Sequence, residues 1–199
     1  IGVNAKAMTG YQAGIKTVGH HLKSKIAEIN PNIFNEAFKN HDILVVAGFQ
    51  GINEDFELTT LGRGGSDTTA VALAASNQTP CEIYTDVDGV YATDPRILNE
   101  AKRLEYVSYE EMMEMSALGA GVLETRSVEL AKNYDIPLYL GRTLSNVKGT
   151  WIMSKSDLLE KKAVTSVALD THMMHVTISY PLPDNQLLTQ LFTALEEES

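Results

Sequence analysis

Cysteine is almost missing from this chain, which has one, Cys81, in 199 residues. A single thiol excludes an internal disulfide and suits a reducing compartment. Long hydrophobic runs are missing as well. Stretches such as Ile43–Phe49 fall far short of the roughly 20 apolar residues that a membrane-spanning helix needs, so no membrane partner is expected. No basic–apolar–small pattern opens the sequence, so no export signal is read and a cytoplasmic location is expected. Basic residues are scarce: 16 Lys and Arg stand against 26 Asp and Glu, a net charge of −10. That balance opposes polyanion binding over the surface as a whole and argues against nucleic acid. A small anion remains compatible, because a local arginine and backbone N–H groups can override net charge. Low-complexity tracts and solenoid-period repeats are absent. The histidine clusters, His20-His21 and His172-x-x-His175, lack cysteine or carboxylate partners at zinc spacing, so they are read as structural or solvated.

What is present is ordinary in bulk: 44 % hydrophobic and 21 % charged residues, enough for one medium domain or one domain plus a piece of another. The pattern along the chain is more informative. Leu22, Ile26 and Ile29 within Gly19–Asn30 have helical spacing. Pro31 then punctuates, and Ile33, Phe34, Ala37 and Phe38 predict a helix starting from it. Asp42–Phe49 reads as a strand buried on both faces, Leu58–Leu61 as another strand, and Ala-rich Ser66–Asn77 as a helix entered from glycines. Cys81–Thr85 is a further strand, and Ser108 with Glu111 forms a capping box for a helix Tyr109–Leu118. Met112, Met113 and Met115 on that helix read as core. A helix Arg126–Tyr134 and strands Pro137–Leu140 and Thr150–Met153 complete an α/β layered domain with a largely parallel sheet. After a polar stretch, Ser154–Lys162, come strand-like runs Val164–Leu169 and Met174–Tyr180. A helix from Asp184 follows, with Leu187, Leu188, Leu191, Phe192 and Leu195 on one stripe. Such a stripe needs a partner surface, and a homo-oligomer is expected.

Two segments stand out chemically. The first is Thr59-Thr60-Leu61-Gly62-Arg63-Gly64-Gly65-Ser66-Asp67-Thr68-Thr69, between a strand and a helix. Its glycines let the backbone approach a ligand, the helix N-terminus favours an anion, and Arg63 offers a planar fork that matches a carboxylate. The plain alternative is a glycine turn with Ser66 or Asp67 capping the helix. No Gly-Lys-Ser/Thr follows, so it is not a Walker motif, and Asp67 stands where a dinucleotide fingerprint has its third glycine. The second segment runs from Thr85 to Arg96 off the C-terminal end of a strand, where open α/β sheets bind ligands. There Arg96 can meet a phosphate and Tyr91 can pack on a base; the alternative is a solvated turn around Asp88-Gly89. Phe49-Gln50-Gly51 also follows a strand, with core packing as the default role for the aromatic ring.

Together these segments resemble the aspartate kinases. The resemblance rests on Thr59–Ala70, Thr85-Asp86-Val87-Asp88-Gly89-Val90-Tyr91 and Thr93-Asp94-Pro95-Arg96. Ala47-Gly48-Phe49-Gln50-Gly51 and Thr9-Gly10-Tyr11-Gln12-Ala13-Gly14-Ile15 add to it, so that it covers residues 8–152. The part beyond Ala163 is similar to the opening of an ACT domain. The resemblance implies a three-layer αβα sandwich of the amino acid kinase type with a mainly parallel sheet, followed by a partial ACT domain. It implies transfer of the ATP γ-phosphoryl group to the β-carboxylate of L-aspartate, with Mg²⁺, at the head of lysine, threonine and methionine synthesis. It would place Phe49, Arg63, Ser66 and Asp67 around aspartate, with Arg63 on a carboxylate and Asp67 on the ammonium group. Thr85, Asp86, Tyr91 and Arg96 would line the ATP site, and a feedback amino acid would bind the ACT domain.

The sequence departs from the family at three places. The family's Lys-Phe-Gly-Gly-Thr-Ser segment, with its phosphate-contacting lysine, does not occur in these residues, and neither does the following Gly-Glu segment. The family's Gly-Ala-Lys-Val-Leu-His-Pro run reads Gly119-Ala120-Gly121-Val122-Leu123-Glu124-Thr125 here. The expectation is therefore a piece of a larger kinase. Residues 1–153 would be the C-terminal portion of the catalytic domain, 154–162 a linker, and 163–199 the first strands and helix of an ACT domain. The catalytic residue stays unassigned, and the 199 residues alone are expected to be inactive. The alternative is a non-catalytic module that senses an amino acid or nucleotide.

Overall fold

The computed structural model describes residues 2–154, 164–169, 189, 190, 192 and 193. Its larger compact unit spans residues 1–169 and carries two hydrophobic cores. The first lies under a sheet of β7 (Cys81–Thr85), β9 (Leu138–Arg142), β10 (Thr150–Met153) and β8 (Tyr106–Ser108), in that order. The β7/β9 and β10/β8 pairs are parallel and β9/β10 antiparallel. Leu138, Leu140, Ile152 and Val107 point to one face and are fully buried. Against them pack Val71, Ala74 and Ala75 of α2 (Gly65–Asn77), Met112 and Met115 of α3 (Tyr109–Ala117), and Val128 and Ala131 of α4 (Thr125–Asn133). Each large side chain so buried contributes about 1.5–3 kcal/mol, so this face holds the sheet and three helices as one body. The capping box at Ser108 forms as the sequence indicates: Ser108 Oγ accepts the Glu111 N–H at 3.2 Å, and the Glu111 carboxylate accepts the Ser108 N–H at 3.1 Å.

The second core holds Met8 of β1 (Ala5–Met8), Ile15 of β2 (Ile15–Val18) and Phe34 of α1 (Pro31–Phe38), with Ala13. Strand β1 pairs in parallel with β4 (Ile43–Val46), and a separate sheet runs β3 (Lys25–Ile29), β2, β5 (Gln50–Ile52), β6 (Leu58–Thr60). The whole is a parallel-rich mixed α/β fold, as expected. Helix α1 starts at Pro31 with Asn30 as its cap, whose side chain accepts the Asn32 N–H.

Several expectations are corrected. The segment read as helical around Ile26 and Ile29 is strand β3. Its pairing with β2 matches Lys16 to Glu28 and Thr17 to Ile26, so Ala27 is the extra residue of a bulge. A bulge shifts the two-residue alternation by one, which turns Ile26 and Ile29 to the same core and mimics helical spacing. Strand β4 is not buried on both faces: Ile43 and Val45 are exposed, whereas Leu44 and Val46 pack on the second core. It pairs only with β1 among the described residues. Val164–Leu169 is not a strand; its Val167 N–H donates to Ala92 O and Thr165 Oγ1 donates to Glu111 Oε1, isolated contacts without a ladder. The expected strand Met174–Tyr180 lies outside the described residues, as does most of the expected final helix, although Thr189, Gln190, Phe192 and Thr193 are helical. No described helix is long and apolar enough to cross a membrane.

Candidate active site

The glycine-rich segment becomes a tight turn between β6 and α2. Gly62 and Gly64 sit at φ +74° and +65°, a left-handed conformation that costs an ordinary residue about 1–2 kcal/mol. Gly64, not Ser66 or Asp67, caps α2, and no side chain closes that helix end. The alternative reading, a Ser66 or Asp67 side-chain cap, does not hold: because the chain enters from a left-handed glycine, Ser66 and Asp67 already lie inside the first turn. Neither side chain is spent on capping the helix, and the positive end of the helix dipole faces the turn.

Phe49 is built into the same place. After β4 the chain turns at Ala47–Phe49, and Phe49 itself adopts φ +70°, uncommon for an aromatic residue. Its N–H donates to Thr69 Oγ1 at 3.0 Å, and its carbonyl accepts the Leu61 N–H at 3.0 Å. The Thr69 hydroxyl donates onward to Gly65 O at 2.7 Å. The Phe49 ring covers Gly65 so closely that a Cβ there would lie 2.7 Å from ring atom Cδ2. Phe49 is therefore not core filler; 42 % of it remains exposed over the turn.

The charges complete the arrangement. The Arg63 side chain is 91 % exposed, with Nε 3.9 Å from Glu124 Oε2. A pair so long and so exposed contributes little, which leaves the guanidinium fork available to a ligand carboxylate. Asp67 is half-buried, and burial pushes its carboxyl above the usual range; the Glu124 backbone N–H partly opposes this and the Glu124 charge adds to it. Arg63 on the turn, Ser66 and Asp67 in the first turn of α2, and the Phe49 ring over Gly65 are thus neighbours around one turn.

The second set hangs from the C-terminal end of β7. The Thr85 hydroxyl donates to Asp86 Oδ1 at 3.0 Å, and Thr85 O accepts the Thr143 N–H at 2.9 Å. Arg142, the register partner of Thr85, pairs with Asp88 at 3.6 Å. Tyr91 is half-buried and bridges to Arg103. Arg96 does not stand free: its guanidinium holds Asp94 with Nη2–Oδ2 at 2.7 Å and Nε–Oδ1 at 3.0 Å. That pairing lowers the Asp94 carboxyl and raises Arg96. A phosphate at Arg96 must compete with Asp94 in solvent. Gly121 is exposed, and a Cβ there would meet open space. Packing therefore does not exclude a lysine at that position.

Sequence reasoning gave no role to Thr69, Arg126 or Thr150. Thr69 stands inside the quoted motif, but its grip on Phe49 is visible only in three dimensions. Thr150 Oγ1, fully buried, accepts the Val90 N–H at 2.9 Å and donates to Leu104 O at 2.6 Å, pinning the segment after β7. No group of three His, Cys, Asp or Glu able to hold a metal occurs among the described residues.

A model of the amino acid kinase family matches residues 1–142. Aspartokinase 2 of Bacillus subtilis is 44 % identical over 199 residues, the whole of this chain and 49 % of that protein. Aspartokinase of Corynebacterium glutamicum is 47 % identical over 182 residues, 89 % of this chain and 43 % of that protein. The chain thus spans about half the length of the curated relatives it matches. Among solved structures, E. coli aspartokinase III in complex with aspartate and ADP superposes with a TM-score of 0.70 at 30 % identity, covering 78 % of this chain and 36 % of that one. The aspartate kinase of Synechocystis gives 0.62 at 39 % identity, over 84 % of this chain and 26 % of that one. With its parallel-rich fold and its glycine turn under Phe49, the chain belongs to the amino acid kinase family.

Proposed function

We propose that this chain forms part of an aspartate kinase and contributes the site that binds the acceptor amino acid. The observation that carries this reading is the exposed Arg63 fork on the Gly62–Gly65 turn, beneath Phe49 and at the uncapped start of α2. Arg63 pairs a carboxylate of L-aspartate, and Asp67 faces the ammonium group. Phe49 covers the backbone of the turn at Gly65 and bounds the space beside it. A β-carboxylate oxygen of aspartate then attacks the γ-phosphorus of ATP, the bond to the β,γ-bridging oxygen breaks, and ADP leaves. Catalysis of this kind is mostly positioning and charge stabilisation.

Thr85, Asp86, Tyr91 and Arg96 line the nucleotide site in this reading. Mg²⁺ binds through phosphate oxygens with one or two carboxylates and keeps several waters, so a three-ligand protein cluster is not required. Asp86, the carboxylate of this set, would hold the ion, which when bound would supply counter-charge to the transferring group. Residues 1–153 belong to the catalytic domain, 154–162 to a linker, and 163–199 to the start of an ACT domain that takes a feedback amino acid. E. coli aspartokinase III has been solved in complex with lysine and aspartate, which supports such a partner. A cytoplasmic homo-oligomer in the aspartate-derived pathway fits the same reading.

The test is acyl-phosphate formation by the full-length protein with ATP and Mg²⁺, trapped with hydroxylamine. Aspartate should give hydroxamate and its one-methylene-longer homologue glutamate far less. Nucleotide binding without acyl phosphate from any amino acid would favour the sensing module instead.

A further inference from the structure

Arg126 stands on α4, far from the glycine turn in sequence, yet its guanidinium ends on the strand that feeds the turn. Nη1 donates to Leu61 O at 3.1 Å, and Nη2 donates to Ser24 O at 3.1 Å. Leu61 is the residue before Gly62, and both Leu61 and Ser24 are buried. The Ser24 N–H and hydroxyl both donate to Thr60 O, at 3.0 and 2.9 Å. One planar fork therefore ties the residue before β3, the residue after β6 and the first turn of α4 together. Two residues earlier in α4's cap, Glu124 lies against Gly64, where a Cβ would collide with its side chain. The left-handed turn is gripped from the α4 side at both ends: Arg126 before Gly62, and Glu124 at Gly64.

We infer that Arg126 is a positioning residue for the acceptor site, acting through the Leu61 carbonyl to fix where Arg63 and Phe49 stand. The inference rests on the reading of this turn as the aspartate site. Arg126 touches no reacting atom. Its two hydrogen bonds are charge-assisted and go to the carbonyls of two buried residues, and lysine cannot reproduce a planar two-pronged donor. The Leu61 N–H donates to Phe49 O, so a shift of the Leu61 backbone also moves the aromatic cover.

The test compares Arg126→Met and Arg126→Lys in the full-length protein, with Arg63→Ala run in the same assay. Because a displacement of about 1 Å at a site can cost about a hundredfold, Arg126→Met should raise KM for aspartate about tenfold or more while leaving KM for ATP within about twofold. Arg126→Lys, which keeps one bond, should fall between. Amide hydrogen exchange of Gly62–Ser66 supplies a readout independent of activity, and it should accelerate in both variants while α3 stays protected. If Arg126→Met raises both Michaelis constants equally, or leaves turn exchange at the wild-type rate, Arg126 merely supports the fold and the inference is overturned. If turn exchange accelerates but Arg63→Ala has no selective effect on aspartate, the grip stands and the assignment of the turn to aspartate falls. Should Arg126→Met fail to fold, Arg126→Lys decides by the same two readouts.

Discussion

Replacing Thr69 with valine removes one hydroxyl from the interior and nothing else of the side chain's shape. Thr69 is 2 % exposed, and its Oγ1 is the acceptor for the Phe49 N–H and a donor to Gly65 O. An orphaned buried donor costs about 1–3 kcal/mol. Phe49, at φ +70°, carries strain of about 1–3 kcal/mol, and once its N–H is free it can relax and recover part of that. Net destabilisation should therefore sit at the low end, about 1 kcal/mol, or about 2–4 °C in melting temperature for a chain of this size. Relaxation moves the ring off Gly65, so the function of the turn suffers more than its stability. KM for aspartate should rise well beyond the stability effect, and KM for ATP should not. Thr69→Ser keeps the hydroxyl and loses one methyl, about 0.8 kcal/mol, and should keep the wild-type KM for aspartate. Urea unfolding together with steady-state kinetics on the three proteins is sufficient. The two variants should lose similar stability, so the KM for aspartate decides: if Thr69→Val matches Thr69→Ser there, Phe49 is held by something other than this hydroxyl and the reasoning fails.

Asp67 carries a raised carboxyl pKa, chiefly through burial, so the folded state holds its proton more tightly than the unfolded state does. The stability this gives is complete below the unfolded pKa and is lost as pH rises through the folded one. Asp67→Asn should accordingly raise the melting temperature at pH 7 while weakening aspartate binding, a pairing that calorimetry and kinetics can detect together. Cys81 is buried, with its thiol pushed up to about 11 by burial first and the charge of Asp67 second; thiol reagents at pH 8 should label it only as fast as the protein unfolds. Gly121→Lys should leave the unfolding free energy within about 0.5 kcal/mol, because its Cβ meets open space. If the position faces nucleotide, the KM for ATP should also fall. Thr150→Val orphans the Val90 N–H and should raise KM for ATP rather than for aspartate.

Much of this was legible in the chain. The helix from Pro31, the capping box at Ser108 and the Ala-rich helix after the glycines all form, because each rests on local chemistry that tertiary contacts reinforce. The strand β3 was misread because a bulge at Ala27 gave Ile26 and Ile29 the spacing of a helix. Strands β1, β2, β5 and β8 went unread. They are three or four residues long, and their pairing partners, not their composition, define them. At the site, the glycines and the helix start announced the turn that carries Arg63, Ser66 and Asp67, whereas Phe49 read as core packing on its own and joined them only through the resemblance to the aspartate kinases. Arg126 and Thr69 were not readable as its supports: a lone arginine on a helix shows no partner until the fold brings Leu61 and Ser24 to it. Arg96 was legible as a cation but not as one already paired with Asp94 two residues away.

The central claim is that the Gly62–Gly65 turn receives the acceptor amino acid. It is tested most directly by steady-state kinetics of Arg63→Ala in the full-length protein, with aspartate and ATP varied separately. The guanidinium is 91 % exposed and only loosely paired, so the fold should be untouched and the melting temperature unchanged. The expected result is a KM for aspartate raised at least about tenfold, the loss of about 1.4 kcal/mol or more that a charge-assisted bond represents, with KM for ATP unaltered. A rise confined to the KM for ATP would contradict the claim and assign the turn to the nucleotide.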